Sequence, residues 1–262
     1  MKRLKSQIKT LIHGKYYNNK GLFPRISSDE TYLMSFPRSG NTWMRHLITC
    51  LIHDREDYGD FVKITVPDIH RYREDGEKKP TTKPLIVKSH VPFVDIPAKV
   101  IYLVRDGREA MLSYFYLKVK EGEISPDASP VDFYFKEDIW PCPWHVHIAG
   151  WLDGLARWSP ERYKIIRYED LVKSPAEHLF AVAEFIGIPV TQQSVQRAIE
   201  LNKKTRLKHI ESRDHKGRLN SVVGLDKQVK WQDILLDEDL ARYEALAGAE
   251  LKRLGYPTKT IP

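Results

Sequence analysis

"YLMSFPRSGNTWMRHLI", Tyr32 to Ile48, decides the fold. Tyr32, Leu33, Met34 and Phe36 make a β-rich apolar run. A Pro-Arg-Ser-Gly-Asn-Thr turn follows, and then Trp43, Met44, Leu47 and Ile48 recur at helical spacing, which predicts a helix from about Thr42 to Ile52. A strand, a glycine-bearing turn and a helix in that order form a βα unit, whose turn can present free backbone N–H groups and a helix N-terminus to an anion.

Laid on the pattern GxxxxGK[ST], the turn places Gly40, Asn41 and Thr42 on the last three positions and Ser35 where the first glycine belongs. The lysine position is asparagine. In nucleoside triphosphatases that lysine reaches the β and γ phosphates, so its loss argues against a triphosphate far more than against phosphate as such. The amides of Ser39 to Thr42 remain, and Arg38 adds a cation from another direction. These residues alone leave two readings open, an anion site or an ordinary connection with an exposed arginine.

The same rhythm recurs outward from this stretch. "KPLIVKSHVPF" predicts a strand near Leu85 to Lys88 that ends in Ser89-His90. "AKVIYLVRDGREAMLSYFYLK" predicts a strand over Val100 to Val104 and a helix that starts at Arg105-Asp106-Gly107 and runs through about Lys118. "RYKIIRYEDLVKSPAEHLFAVAEFIGI" predicts a fourth unit, its helix opened by Ser174, Pro175 and Glu177 and closed by Gly187. Four such units predict an α/β fold: a single domain with a mostly parallel sheet flanked by helices and ligands at the carboxyl ends of the strands. The 36–42 turn, His90 and Arg105 all follow strands directly. Residues 121–143, acidic, aromatic and Pro-rich without a period, read as an insertion or cap. "LDEDLARYEALAGAELKRLGYP" reads as a last helix with Asp237 as N-cap and Gly255 beyond its end.

A chain of 262 residues with 42% apolar and 29% charged residues can bury one large core, and the expectation is one domain over 1–262. Two cysteines, Cys50 and Cys142, form neither a disulfide framework nor a zinc-spaced cluster. No stretch nears the ~20 apolar residues of a membrane span, and the N-terminus is too polar for a secretory segment, so a soluble, cytoplasmic protein is expected. The net charge of +7 implies anionic partners without choosing among them. Within residues 1–20, Leu4, Ile8, Leu11 and Ile12 among lysines predict a basic amphipathic helix. That helix either docks on its own domain or, through residues 1–17, touches a membrane surface.

"SFPRSGNTW" closely resembles the 5′-phosphosulfate loop of the sulfotransferases, usually Tyr-Pro-Lys-Ser-Gly-Thr-Thr-Trp. The resemblance implies a P-loop-like sulfotransferase fold and the donor 3′-phosphoadenosine 5′-phosphosulfate (PAPS), with adenosine 3′,5′-bisphosphate (PAP) as product. It places Arg38, Ser39, Gly40, Asn41 and Thr42 on the 5′-phosphate and sulfonate and Trp43 near the adenine. Arg38 stands for the family's lysine and Asn41 for a threonine. "IYLVRDGREAMLSYFY" is similar to the family's 3′-phosphate segment, which implies that Arg105 and Ser113 clasp that phosphate; "IIRYEDLVKSP" would set Tyr168 by the adenine. "VKSHVPF" matches a Lys-x-His segment, which implies His90 as general base, with Lys88 and Arg38 stabilising the sulfonate and the bridging oxygen. "HKG" resembles an Arg-Lys-Gly that closes over the 3′-phosphate, implying Lys216 and Gly217, with His215 replacing the arginine and Arg213 and Arg218 nearby.

No metal is expected, because these cations supply the neutralising charge and His145 and His147 form an isolated HxH. "PWHVHIAGWL" is similar to a Trp-xx-His-xxx-Trp helix of the family, which could turn His147 toward the acceptor. The acceptor expected is a small molecule, glycan or lipid bearing a hydroxyl or amine, and not a nucleic acid. Two rivals stand beside this reading. One is a P-loop nucleoside or nucleotide kinase, and the other is a nucleic-acid-binding module that uses the basic run 203–218.

Overall fold

The computed structural model describes residues 26–54, 60–69, 83–203 and 229–259. The expected amphipathic helix at 1–20, Lys216, Gly217 and nearly all of the basic run 203–218 lie outside the described residues.

Four strands form one parallel sheet: β1 (Glu30–Ser35), β2 (Leu85–Ser89), β3 (Lys99–Val104) and β4 (Tyr163–Arg167), in the spatial order β2-β1-β3-β4. Between β1 and β2 lie α1 (Asn41–His53) and α2 (Asp60–Thr65). After β3 come α3 (Gly107–Lys120), α4 (Pro130–Tyr134) and α5 (Trp144–Leu155), and after β4 come α6 (Tyr168–Lys173), α7 (Pro175–Ile186), α8 (Gln192–Leu201), α9 (Trp231–Ile234) and α10 (Asp237–Arg253).

The period of two along the strands sorts side chains into two cores. Tyr32, Met34, Phe36, Val100, Tyr102 and Val104 join a cluster that includes residues of α3, α5 and α10. Leu33, Ile86, Ile101 and Leu103 join a second cluster with α1, α7 and α8. Consequently α1 leaves β1 toward one face and α3 leaves β3 toward the other. The order in which strands are added therefore reverses between β1 and β3, the topological switch point where an open parallel sheet leaves a crevice. Register pairs Met34 with Ser89, Ser35 with Leu103 and Val104 with Arg167, so the four strands finish together at one rim.

One sequence expectation about a helix end is corrected. Asp237 is the first residue of α10, and Leu236 holds the cap position; the Asp237 carboxylate instead takes Lys259 Nζ at 2.5 Å. Ser174 holds the N-cap position of α7 with Pro175 opening the helix, as expected; its side chain makes no capping bond, and its N–H goes to Asp170 O. At the far end of α7, Gly187 takes φ 75°, and Ile188 N–H reaches back to Ala183 O, which closes the helix as its glycine predicts. Residues 121–143 carry α4 and send Phe133, Tyr134 and Ile139 into the core.

Candidate active site

The turn after β1 is shaped by two left-handed residues, Arg38 at φ 67° and Gly40 at φ 90°. A non-glycine residue there is uncommon and strained by ~1–3 kcal/mol, a feature that clusters at ligand-holding loops. Gly40 is required twice over, since a Cβ on it would lie 2.5 Å from Tyr168 Cδ2. The Asn41 side chain turns inward, so the anion role expected of residue 41 falls to its main-chain N–H. The side chain is buried, and its Nδ2 donates to Leu33 O and to Ser35 Oγ, both at 3.1 Å, fastening the turn onto β1. Only the main chain of Asn41 is left to serve an anion. Ser39 is wholly buried, and its Oγ has no hydrogen-bond partner among the described residues.

Arg105 and Ser113 come to this turn. Arg105 Nη1 donates to Arg38 O at 3.1 Å, and Arg38 Nε donates to Ser113 Oγ at 3.0 Å. The Arg105 guanidinium also lies 4.8 Å over the Tyr168 ring, which stands edge-on to Trp43 with ring centres 6.4 Å apart. Trp43 Nε1 is held by Asn202 O at 3.0 Å. Thus Arg38, Gly40, Trp43, Arg105, Ser113 and Tyr168, gathered from β1–α1, β3–α3 and β4–α6, form one continuous surface; Thr42 sits half-buried in the same first turn of α1. Beneath it, the Asp106 side chain caps α3 by accepting Arg108 N–H at 2.9 Å, and Asp106 N–H donates to Glu169 Oε1 at 3.1 Å.

His90 stands beyond the end of β2, beside this surface. Its Nδ1 lies 2.8 Å from Ser35 O and 3.2 Å from Ser35 Oγ. A carbonyl can only accept, so Nδ1 carries the proton and Nε2 keeps its lone pair. Burial, followed by the charge of Lys88, holds the His90 pKa well below the ordinary 6.5, so the imidazole is neutral at physiological pH. Lys88 Nζ is paired with Asp68 Oδ2 at 2.5 Å.

His147 does not face an acceptor. It is fully buried and bonded at both nitrogens, to Tyr102 Oη at 2.9 Å and His90 O at 3.1 Å, and burial lowers its pKa to about 3. Of the aromatic residues near the site, Phe36, Tyr114 and Trp144 are core, whereas Trp140 is 49% exposed with its ring edge-on to His90 at 5.9 Å. Among the described residues, no three His, Cys, Asp or Glu side chains are placed to share a metal ion. No helix among them is long and apolar enough to cross a membrane.

Sequence reasoning missed Arg108, whose guanidinium is buried between Asp106 Oδ2 at 2.7 Å and Glu244 Oε1 at 3.2 Å and lies 4.3 Å over Trp231. It ties the start of α3 to α9 and α10. A buried arginine in the first turn of a helix has no local signature, and Glu244 is far along the chain.

The model of the sulfotransferase domain matches residues 28–232. The chain belongs to the sulfotransferase family. Among curated relatives of this family member, Cytosolic sulfotransferase 13 of Arabidopsis thaliana is 25% identical over 213 residues, covering 72% of this chain and 63% of the relative. This chain therefore spans less than two thirds of that protein. Flavonol 3-sulfotransferase of Flaveria bidentis is 23% identical over 271 residues, covering 88% of this chain and 84% of the relative. The crystal structure of mouse sulfotransferase SULT7A1 complexed with PAP superposes with a TM-score of 0.67 at 16% identity, over 93% of this chain and 90% of that one. The family member thus has the sulfotransferase fold, its P-loop-like turn carrying Asn41 where a nucleoside triphosphatase has lysine.

Proposed function

We propose that this protein transfers a sulfonate group from PAPS to a hydroxyl or amine of a small-molecule acceptor. The observation that carries the reading is the convergence of the Arg38–Gly40 turn, the Arg105–Ser113 pair and the His90 imidazole on one rim of the sheet. The donor supplies an activated sulfonate on a 5′-phosphate. The roles of the residues follow from their chemistry. Backbone N–H groups of 39–42, at the positive end of α1, hold the 5′-phosphate side. Arg105 and Ser113 take the 3′-phosphate, and Tyr168 and Trp43 offer rings to the adenine. Arg38 and Lys88 offset charge that builds on the sulfonate and on the bridging oxygen of the leaving phosphate. His90 Nε2 removes the acceptor proton as the acceptor atom attacks sulfur.

The buried, inward-turned Asn41 favours this reading over a nucleoside triphosphate kinase, since nothing at the lysine position reaches a γ phosphate. The small-molecule acceptor is supported by relatives such as the flavonol enzyme. A cytoplasmic location is supported by a relative named cytosolic. Residues 121–143 are proposed to cover the acceptor side, on the strength of Trp140 beside His90. The test is transfer of labelled sulfonate from PAPS into a panel of phenols, alcohols, amines, sugars and lipids. Labelled product with at least one of them is expected. A protein that binds PAP and labels none of them contradicts the reading.

A further inference from the structure

We propose that His147 is a positioning residue for His90, fixing through its own ring the main chain that carries the proposed base. The inference rests on the sulfonate-transfer reading above and assigns a task to a buried histidine which that chemistry leaves unused.

The last register pair between β1 and β2 is Met34 with Ser89, so the His90 peptide lies just past the ladder. Its carbonyl accepts from His147 Nε2 at 3.1 Å. Nε2 must therefore carry the proton, and the Nδ1 of a neutral ring is then an acceptor, to which Tyr102 O–H donates at 2.9 Å. The His90 carbonyl thereby fixes the tautomer of His147, and Tyr102 satisfies the nitrogen left over. One turn further along α5, Trp151 Nε1 donates to the next carbonyl, that of Val91, at 3.1 Å. Spacing of i and i+4 sets His147 and Trp151 on one face of α5, and Tyr102 stacks on both, with centroids 5.8 and 5.3 Å away.

His90 is thus held at two ends. Ser35 O grips its ring at Nδ1, and His147 grips its main-chain oxygen. Together they leave Nε2 little freedom, which is what a base needs if its lone pair must meet the acceptor proton at a fixed place. Neither alternative role suits His147. Proton transfer is closed to a ring with both nitrogens engaged, no exposure and a pKa of about 3. Simple filling of space calls for no polar chain, since an apolar ring would fill the same volume without requiring two buried hydrogen bonds.

The test uses the full chain, labelled PAPS and an acceptor that the wild type turns over. His147→Phe keeps the volume and removes both bonds. A fall in kcat of ~10- to 100-fold is expected, with the calorimetric Kd for PAP within ~2-fold of wild type, as befits a group acting only on the base. His147→Gln, whose amide can donate to His90 O and accept from Tyr102, is expected to recover most of that loss. In imidazole 15N spectra, His90 is expected as the single Nδ1–H tautomer in wild type and His147→Gln, and as a mixture in His147→Phe. Should His147→Phe fail to fold, Tyr102→Phe carries the test through a lower kcat at unchanged PAP affinity. Unchanged kcat in a folded variant overturns the proposal, as does a joint loss of kcat and PAP affinity that glutamine does not restore. Failure of the parent reading is distinct, because there the wild type itself binds no PAP or transfers no sulfonate.

Discussion

Residues 36–42 make their surface from their own backbone, with left-handed φ at Arg38 and Gly40, whereas residues 88–91 take their shape from side chains and carbonyls of other elements. The two lie side by side at one rim, and the contrast follows from what each has to hold. An anion is met by several weak, fixed dipoles, and a short turn can supply these by itself. A base is one lone pair that must point in one direction, so its orientation depends on Ser35, His147, Tyr102 and Trp151, contributed by β1, β3 and α5.

The contrast breaks most sharply at His90. His90→Ala is expected to lower sulfonate transfer by ~10²- to 10⁴-fold while leaving the PAP-induced rise in Tm intact. Retained turnover would remove His90 as base. Gly40→Ala is expected to act on binding instead. Its methyl meets Tyr168 at 2.5 Å in a φ reserved for glycine, so ~1–3 kcal/mol of stability and most of the PAP-induced Tm shift should go, as read by thermal melts with and without PAP. Ser113→Ala removes a single hydrogen bond from Arg38. It should weaken PAP by ~10-fold with kcat at saturating donor changed far less, a split that initial-rate kinetics resolves.

The smallest effect is on pH. Because burial, followed by Lys88, depresses the His90 pKa, the base stays neutral as pH falls through 6.5. The profile of kcat/KM should be level above that value, with its acid limb displaced to lower pH than a free histidine would give. Stability should follow His147. The unfolded ring binds a proton below about 6.5, whereas the folded ring resists until about 3. The unfolded state therefore holds more protons in between, and Tm should decline as pH falls below 6.5, a loss that His147→Gln should lessen.

This difference between the two regions also explains what could be read from the residues alone. The turn was legible because its instruction is local: "SFPRSGNTW" contains the glycine, the helix start and the arginine in one stretch. The four parallel strands were legible for the same reason, through alternation and turn signals. His90 was legible as a residue but not as an oriented one, since Ser35 and His147 stand 55 and 57 positions away from it. Asn41 was legible as a residue of the loop but not in its side-chain direction, because sequence spacing places a residue at a loop without saying which way it turns; here it turns inward to Leu33 O and Ser35 Oγ. Asp237 was misjudged because Lys259, well beyond α10, claims the carboxylate that local rules assign to a cap.

The central claim is that one adenosine nucleotide bridges the amides of the 36–42 turn and the Arg105–Ser113 pair. Calorimetric titration of the wild type and of Arg105→Ala with PAP, with adenosine 5′-monophosphate and with ATP tests it most directly. PAP is expected to bind the wild type at least ~10-fold more tightly than either other nucleotide, and Arg105→Ala should erase its advantage over the monophosphate. Equal affinity for PAP and the monophosphate in the wild type, or a PAP preference that survives Arg105→Ala, would contradict it.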